Sequence, residues 1–153
     1  MNQSVSLYFL IFDFRRPDDD AESGEQKLLA ALEKMPDKGI LKLTTPNRPV
    51  DLIELLQSRE YRVNVRQWQN NDWDVEVLAS RTPDIVDLRE MEAPEPMQRI
   101  LTICTGMGKD DSYLARLPHV PSMLFPQLLA RGLAWYVHEE EDNSALLMVR
   151  RES

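Results

Sequence analysis

The hydrophobic and polar positions in the first half of the chain switch between strand-like and helix-like periods. An apolar run over residues 5–14 predicts a buried strand, and Leu28, Leu29 and Leu32 recur at helical spacing. A second strand is predicted over residues 40–45. Pro49 suits the first turn of a second helix, and alternation over 61–66 and 73–77 predicts two strands joined by a turn at 69–72. The predicted order is strand, helix, strand, helix, strand, strand.

The second half repeats this order. A strand is predicted near residues 85–88, and alternation over 133–138 is followed by a turn at 141–144 and a last strand. The two predicted helices lie between the first and second and between the second and third strands. Their apolar stripes are Ile100, Leu101, Ile103 and Cys104 in the first helix, and Leu124, Phe125, Leu128 and Leu129 in the second.

Two pairs of similar stretches support this repeat directly. Residues 46–59 and 118–131 share two prolines, a helical stripe and a final arginine at a constant spacing, since 118 − 46 = 72 and 131 − 59 = 72. Residues 12–15 match 86–89 at a spacing of 86 − 12 = 74. A fixed period of this length is typical of a repeated small domain. We therefore predict a tandem duplication, with domains at 1–80 and 84–153.

Each repeat is expected to form an α/β two-layer sandwich, with two helices on one face of a four-stranded mixed sheet. Both first strands are apolar on both faces, which predicts central strands or sheets covered on both sides. We expect an open sheet face to pack against the sister repeat or against a second chain as a homodimer. The open faces are predicted to carry Arg62, Asn64, Arg66 and Trp68 in the first repeat, and Tyr136, His138, Leu146 and Met148 in the second.

Charge and cysteine content narrow the possible partners and location. The net charge is −8 and no half, arm or stripe is basic, which argues against nucleic acid and anionic membranes as partners. Cys104 is the only cysteine, so the chain has no intramolecular disulfide or Cys-x-x-Cys pair, and a reducing, cytoplasmic location is expected. The apolar run at 5–14 is shorter than the roughly 20 residues that a membrane span needs. We expect no cofactor.

Three stretches of the second repeat resemble the TusA/SirA-like superfamily, and specifically its branch of uncharacterised bacterial domains. They are residues 86–89, the helix start Ala93-Pro94-Glu95-Pro96, and residues 128–135. The first repeat resembles the superfamily through the second. The resemblance implies a β-α-β-α-β-β sandwich, and in sulfur-relay members a persulfide-carrying cysteine directly before Pro-x-Pro.

Here Ala93 stands in the place of that cysteine, and the corresponding stretch of the first repeat, 16–24, lacks Pro-x-Pro as well. A persulfide relay requires a thiolate, whose formation a helix N-terminus assists. Cys104 is an alternative nucleophile, but its place in an apolar stripe favours a buried small hydrophobe. Sulfur transfer by the usual route is therefore not expected.

Charged residues repeat at the ends of the two first strands, and these are the best candidates for a ligand-binding site. They are Asp13 with Arg15 and Asp87 with Arg89, although a local ion pair explains them equally well. Pro94 opens a helix, and His119 precedes another, where it binds an anion or packs structurally. For His138, which precedes residues 139–141 (all Glu), solvated acids at a strand end are favoured over a metal site.

The leading hypothesis is a non-catalytic binding or regulatory module with its site at Asp13, Arg15, Asp87, Arg89, Pro94 and His119. The alternatives are sulfur transfer through Cys104 and a redox or metal-binding role through His119 or His138.

Overall fold

A computed structural model describes residues 8–15, 21–68 and 70–151, without the side chains of residues 21–25. The predicted features at residues 5–7, 16–20 and 69 lie outside the described residues. The chain divides into two compact units between Thr82 and Pro83, which we name the N-terminal unit and the C-terminal unit. In the described part of the chain, the helices are too short or too polar to cross a membrane.

The N-terminal unit contains four strands and two helices. Its sheet has the order β1-β2-β4-β3, with β1 parallel to β2 and the other neighbours antiparallel. The elements are β1 (Tyr8–Asp13), α1 (Ala21–Lys34), β2 (Gly39–Thr45), α2 (Val50–Ser58), β3 (Arg62–Gln67) and β4 (Trp73–Leu78).

The C-terminal unit has the same topology, with sheet order β5-β6-β8-β7 and a parallel pair β5-β6. A single 3-10 turn, Ser122–Leu124, leads directly into its second helix. The elements are β5 (Ile85–Asp87), α3 (Glu95–Thr105), β6 (Ser112–Leu117), α4 (Phe125–Ala130), β7 (Leu133–Glu139) and β8 (Ala145–Arg151). The predicted fold, a duplicated α/β two-layer arrangement in which each sheet has its helices, is confirmed.

One core in each unit lies between the helices and the sheet. In the N-terminal unit Val63 and Val65 of β3 pack against Leu28, Leu32 and their neighbours, as the alternation predicted. In the C-terminal unit the side chains that face the helices come from alternate residues of β6, β7 and β8. They are Tyr113, Ala115, Leu117, Leu133, Trp135, Leu147 and Val149.

The first strand of each unit lies at a sheet edge, so the alternative of central strands is wrong. The other alternative, a sheet covered on both faces, agrees with the burial of Leu114, Leu146 and Met148, which alternate with the helix-facing residues of β6 and β8. The α-helical crossover places β2 beside β1, but the following hairpin pairs β4 with β2, which leaves β1 with one neighbour. Ile11 and Val86 remain 48% and 38% exposed. Strand order therefore overrides the apolar composition of these strands.

Local backbone details recur in both units at a spacing of 72 residues. Asn71 and Asn143 (143 − 71 = 72) both have positive φ, 71° and 72°, in the turns between the last two strands. Glu60 and Gly132 (132 − 60 = 72) adopt φ of 68° and 72° after the second helix. Only Gly132 has no steric cost in this left-handed conformation. The two units thus share turn and helix-end geometry as well as topology.

Candidate functional site

The candidate residues of the C-terminal unit lie at one edge of its sheet. Because β5 and β6 are parallel and each is followed by a helix, the carboxyl ends of both strands and the amino ends of α3 and α4 meet there. Asp87 ends β5, Pro94 precedes α3, and His119 follows β6. Asp13 and Arg15 occupy the corresponding edge of the N-terminal unit.

Asp87 and Arg89 form a bidentate ion pair. Arg89 Nε donates to Asp87 Oδ1 at 2.9 Å and Nη2 donates to Oδ2 at 2.8 Å. The backbone N–H of Arg89 also donates to Oδ1 at 3.1 Å. The local ion pair that the sequence offered as one interpretation is therefore present, and Arg89 still exposes 36% of its side chain.

Asp13 and Arg15 form the same arrangement in the N-terminal unit. The Nε to Oδ1 distance is 3.0 Å, the Nη2 to Oδ2 distance is 2.7 Å, and the backbone N–H bond is 3.0 Å. Arg15 Nη1 lies 3.5 Å from Asp72 in the turn between β3 and β4. The same kind of turn in the C-terminal unit brings Asp142 into electrostatic contact with Arg89.

The pair shifts the pKa of both partners away from neutrality. The hydrogen bond from Arg89 lowers the pKa of Asp87, partial burial opposes this shift, and the charge of Arg116 adds to it. The hydrogen bond to Asp87 raises the pKa of Arg89, and the charges of Asp142 and Glu90 contribute further. Both groups stay ionised near neutral pH, so the edge offers fixed hydrogen-bonding groups rather than a general acid or base.

Pro94 and His119 share this edge but do not bond to the ion pair. Pro94 caps α3 through backbone geometry, and Pro96 is buried in the first turn. Because proline has no N–H, these two residues remove donors that would otherwise bind an anion at the helix start. His119 is exposed, and its Nδ1 lies 3.4 Å from the carbonyl of Val120.

Cys104 lies in the core, as its position in the apolar stripe predicted. It has no solvent exposure and packs with Ile100, Leu128 and Tyr113. Burial raises the pKa of the Cys104 thiol to about 12, against a smaller opposing effect of Arg151. Ala93, directly before Pro94, is exposed. Ala93 is therefore accessible to solvent but has no thiol, whereas the thiol of Cys104 is not accessible to solvent.

Of the three glutamates after His138, Glu139 and Glu141 are exposed, as the solvated-acid interpretation expected. Glu140 is buried, which corrects that interpretation for this residue. Glu140 is only 4% exposed and lies 3.7 Å from Arg116 and 3.6 Å from the His138 Nε2. In the described part of the chain, neither histidine belongs to a group of three converging metal-ligating side chains. Sequence proximity alone did not show that Glu140 turns away from solvent.

A buried charged cluster on the N-terminal sheet was missed by the sequence analysis, which named only Arg66 and Trp68 from it. Asp74 has no exposure and lies 3.0 Å from Arg66 and 3.5 Å from Lys42. The guanidinium of Arg66 stacks 4.5 Å from the Trp68 ring centre. Asp74 alternates with Trp73 and Val75 along β4, and this alternation places its charge on the sheet face opposite the helices. That pattern was the one sequence feature that could have indicated the cluster.

Residues 85–151 match one protein-family model. It describes an uncharacterized conserved protein (DUF2249), and the match covers nearly all of the described C-terminal unit. No curated protein and no solved structure matches the chain. The similarity thus supports a common domain for residues 85–151 and attaches no activity to it.

Proposed function

We propose that the protein is a non-catalytic binding or regulatory module, a tandemly duplicated TusA-like domain that keeps the sulfur-carrier scaffold and lacks its thiol. The burial of Cys104 carries this proposal. With a pKa of about 12, the thiolate fraction at pH 7 is on the order of 10⁻⁵. A carrier needs both an exposed thiol and an appreciable thiolate population.

The duplication is supported by hydrogen bonds that recur at the 72-residue spacing. In one turn, Trp68 N donates to Asp72 O at 2.8 Å, and Asn71 N donates to Trp68 O at 3.0 Å. In the other, Glu140 N donates to Ser144 O at 2.7 Å, and Asn143 N donates to Glu140 O at 3.0 Å. Such detail favours descent from one domain over two independent folds of similar topology.

The proposed binding site is the sheet edge with the Asp-x-Arg pairs: Asp13 and Arg15 in one unit, and Asp87, Arg89, Pro94 and His119 in the other. Each pair is close to neutral overall and presents acceptor and donor groups in fixed positions. It therefore fits a polar ligand or protein segment with complementary hydrogen bonds better than a polyanion. Homodimerisation through an open sheet face and a cytoplasmic location remain predictions from the sequence.

Thiol labelling of the native chain tests the loss of the carrier function. We expect a soluble disulfide reagent to modify Cys104 only in denaturant, whereas A93C gains one rapidly reacting thiol without denaturant. Ala93 is exposed, so this variant is a matched positive control in the same unit. Native labelling of wild-type Cys104 at a rate close to that of A93C would contradict the proposal.

Native mass spectrometry of the protein from its own cells tests binding at the edge. We expect a retained ligand or partner whose amount falls in R15A or R89A and which is lost from the double variant R15A/R89A. Exposed ion pairs contribute about 0–1 kcal/mol, so both variants should remain folded. A ligand retained equally by wild type and by the double variant would place the site elsewhere.

A further inference from the structure

The outer helix face of the C-terminal unit is apolar where the same face of the N-terminal unit is polar. Met123 is 80% exposed and Leu129 is 45% exposed. Asp51 and Gln57 stand at the matching positions of α2, since 123 − 51 = 72 and 129 − 57 = 72, and both are also exposed. Both positions are exposed in both units, so the fold does not require apolar residues there.

Further residues extend this contrast. Pro126 and Ala130 are exposed where the N-terminal unit has exposed Glu54 and Ser58. Ile103 of α3 is 43% exposed, although the helical stripe predicted it to be buried. The prediction that Leu129 lies in the core is likewise wrong. We name the exposed Met123, Pro126, Leu129 and Ala130 the α4 surface.

Charge is distributed unevenly along the helices of the same unit. The edge at the amino ends of α3 and α4 is strongly acidic, because its carboxylates far outnumber its arginines. The opposite edge is slightly basic. The acidic edge holds Asp87, Glu90, Glu92, Glu95, Glu139, Glu140, Glu141 and Asp142 with Arg89 and Arg116, and the opposite edge holds Lys109, Arg131, Arg150 and Arg151 with Asp84, Asp110 and Asp111.

We infer that the α4 surface binds the α4 surface of a second copy of this chain, with the two helices antiparallel. A two-fold axis makes such a contact self-complementary. The antiparallel arrangement places the acidic edge of each copy against the basic edge of the other, whereas a parallel arrangement would bring the acidic edges together. The α4 surface has only a few residues, against the roughly 20–30 residues a side of a stable interface, so a dissociation constant in about the micromolar range is expected.

Sedimentation of the full chain, from about 1 to about 200 μM, tests this contact. We expect a concentration-dependent dimer whose dissociation constant rises at least about 30-fold in M123E/L129E. V50E is the matched control, because Val50 is 51% exposed on the corresponding helix of the N-terminal unit, and it should dimerise like wild type. Circular dichroism checks that both variants keep the fold.

Salt separates the two arrangements. Raising ionic strength from about 0.05 to about 0.5 M should weaken the antiparallel dimer, since exposed charges are screened. A dimer that strengthens with salt would overturn the antiparallel arrangement. A chain that stays monomeric throughout, or a dimer that V50E weakens as much as M123E/L129E does, would overturn the contact itself. A dimer unaffected by M123E/L129E would overturn it too.

Discussion

Arg151, at the end of β8, donates hydrogen bonds to carbonyl groups at the carboxyl ends of both helices in the C-terminal unit. Its replacement should therefore lower the stability of the fold more than the loss of an ordinary exposed arginine would. Its Nε donates to Met107 O at 2.7 Å, and Nη2 donates to Thr105 O at 3.0 Å and to Cys104 O at 3.3 Å. Nη1 lies 3.4 Å from the Arg131 carbonyl after α4. One guanidinium therefore satisfies carbonyl groups that the helix ends leave without intrahelical partners.

We expect R151A to lower the free energy of unfolding by about 2 kcal/mol. Hydrogen bonds from a charged group contribute about 1.5–3 kcal/mol each, and of the Arg151 bonds only those to Met107 and Thr105 have good distances. In the variant, water binds some of the freed carbonyl groups and reduces the loss. The attraction between the cation and a helix carboxyl end adds about 0.3–1 kcal/mol. R151K should recover about half, because an ammonium keeps the charge without the planar fork that reaches several carbonyls.

Urea unfolding and Cys104 labelling provide two measurements of this loss. Cys104 is fully buried and contributes one of the bonded carbonyls, so its labelling reports opening of this region. A loss of about 2 kcal/mol predicts a labelling rate about 30-fold higher. R81A is the control, because Arg81 is 63% exposed and forms only a surface pair with Asp37 at 3.3 Å, which contributes about 0–1 kcal/mol. The reasoning is refuted if R151A and R81A are equally stable and label Cys104 at equal rates.

Three other substitutions test separate parts of the structure. C104S should destabilise the protein by about 1–3 kcal/mol in urea unfolding, because it places a hydroxyl in an apolar core; wild-type stability would contradict the core position. D74A should cost about 3–5 kcal/mol, since Arg66 and Lys42 would lose a buried counter-charge; a cost below about 1 kcal/mol would show that Asp74 is not the charge that balances them. The pKa of Asp87 is lowered in the folded state, so its contribution is present above about pH 4 and lost as pH falls through the folded pKa. In D87N the free energy of unfolding should therefore fall slightly less than in wild type as the pH is lowered. An equal fall in both proteins would exclude this linkage.

The fold was predictable because each period occurs twice and in the same order. Alternation over residues 61–66 and 133–138 identified the strand faces that meet the helices, and the structure places Val63, Val65 and Trp135 in the cores. Periodicity depends only on local geometry, so it predicts the elements and their buried faces even when the strand order is unknown. The local ion pairs at Asp13 and Asp87 were equally accessible, since partners two residues apart need no tertiary information.

Features that depend on tertiary neighbours were not predictable. The edge positions of β1 and β5 follow from how the hairpin pairs, which their apolar composition does not encode. Leu129 and Ile103 lie at the margins of apolar stripes, where helix length and the extent of the sheet decide exposure. The burial of Glu140 and Asp74 depends on what surrounds them, and charge alone favours an exposed assignment.

The two proposals predict different stoichiometries, because the Asp-x-Arg pair occurs in both units and the α4 surface occurs in one. The Asp-x-Arg geometry is the same in both units to within about 0.1 Å, so a ligand that needs only this pair would bind twice per chain. A ligand that also needs Pro94 or His119 would bind once, because Asn47 stands at the His119 position of the N-terminal unit (119 − 47 = 72). The α4 surface occurs once, so two chains share one contact. Ligand titration and sedimentation therefore report on independent parts of the molecule, and either proposal can fail without affecting the other.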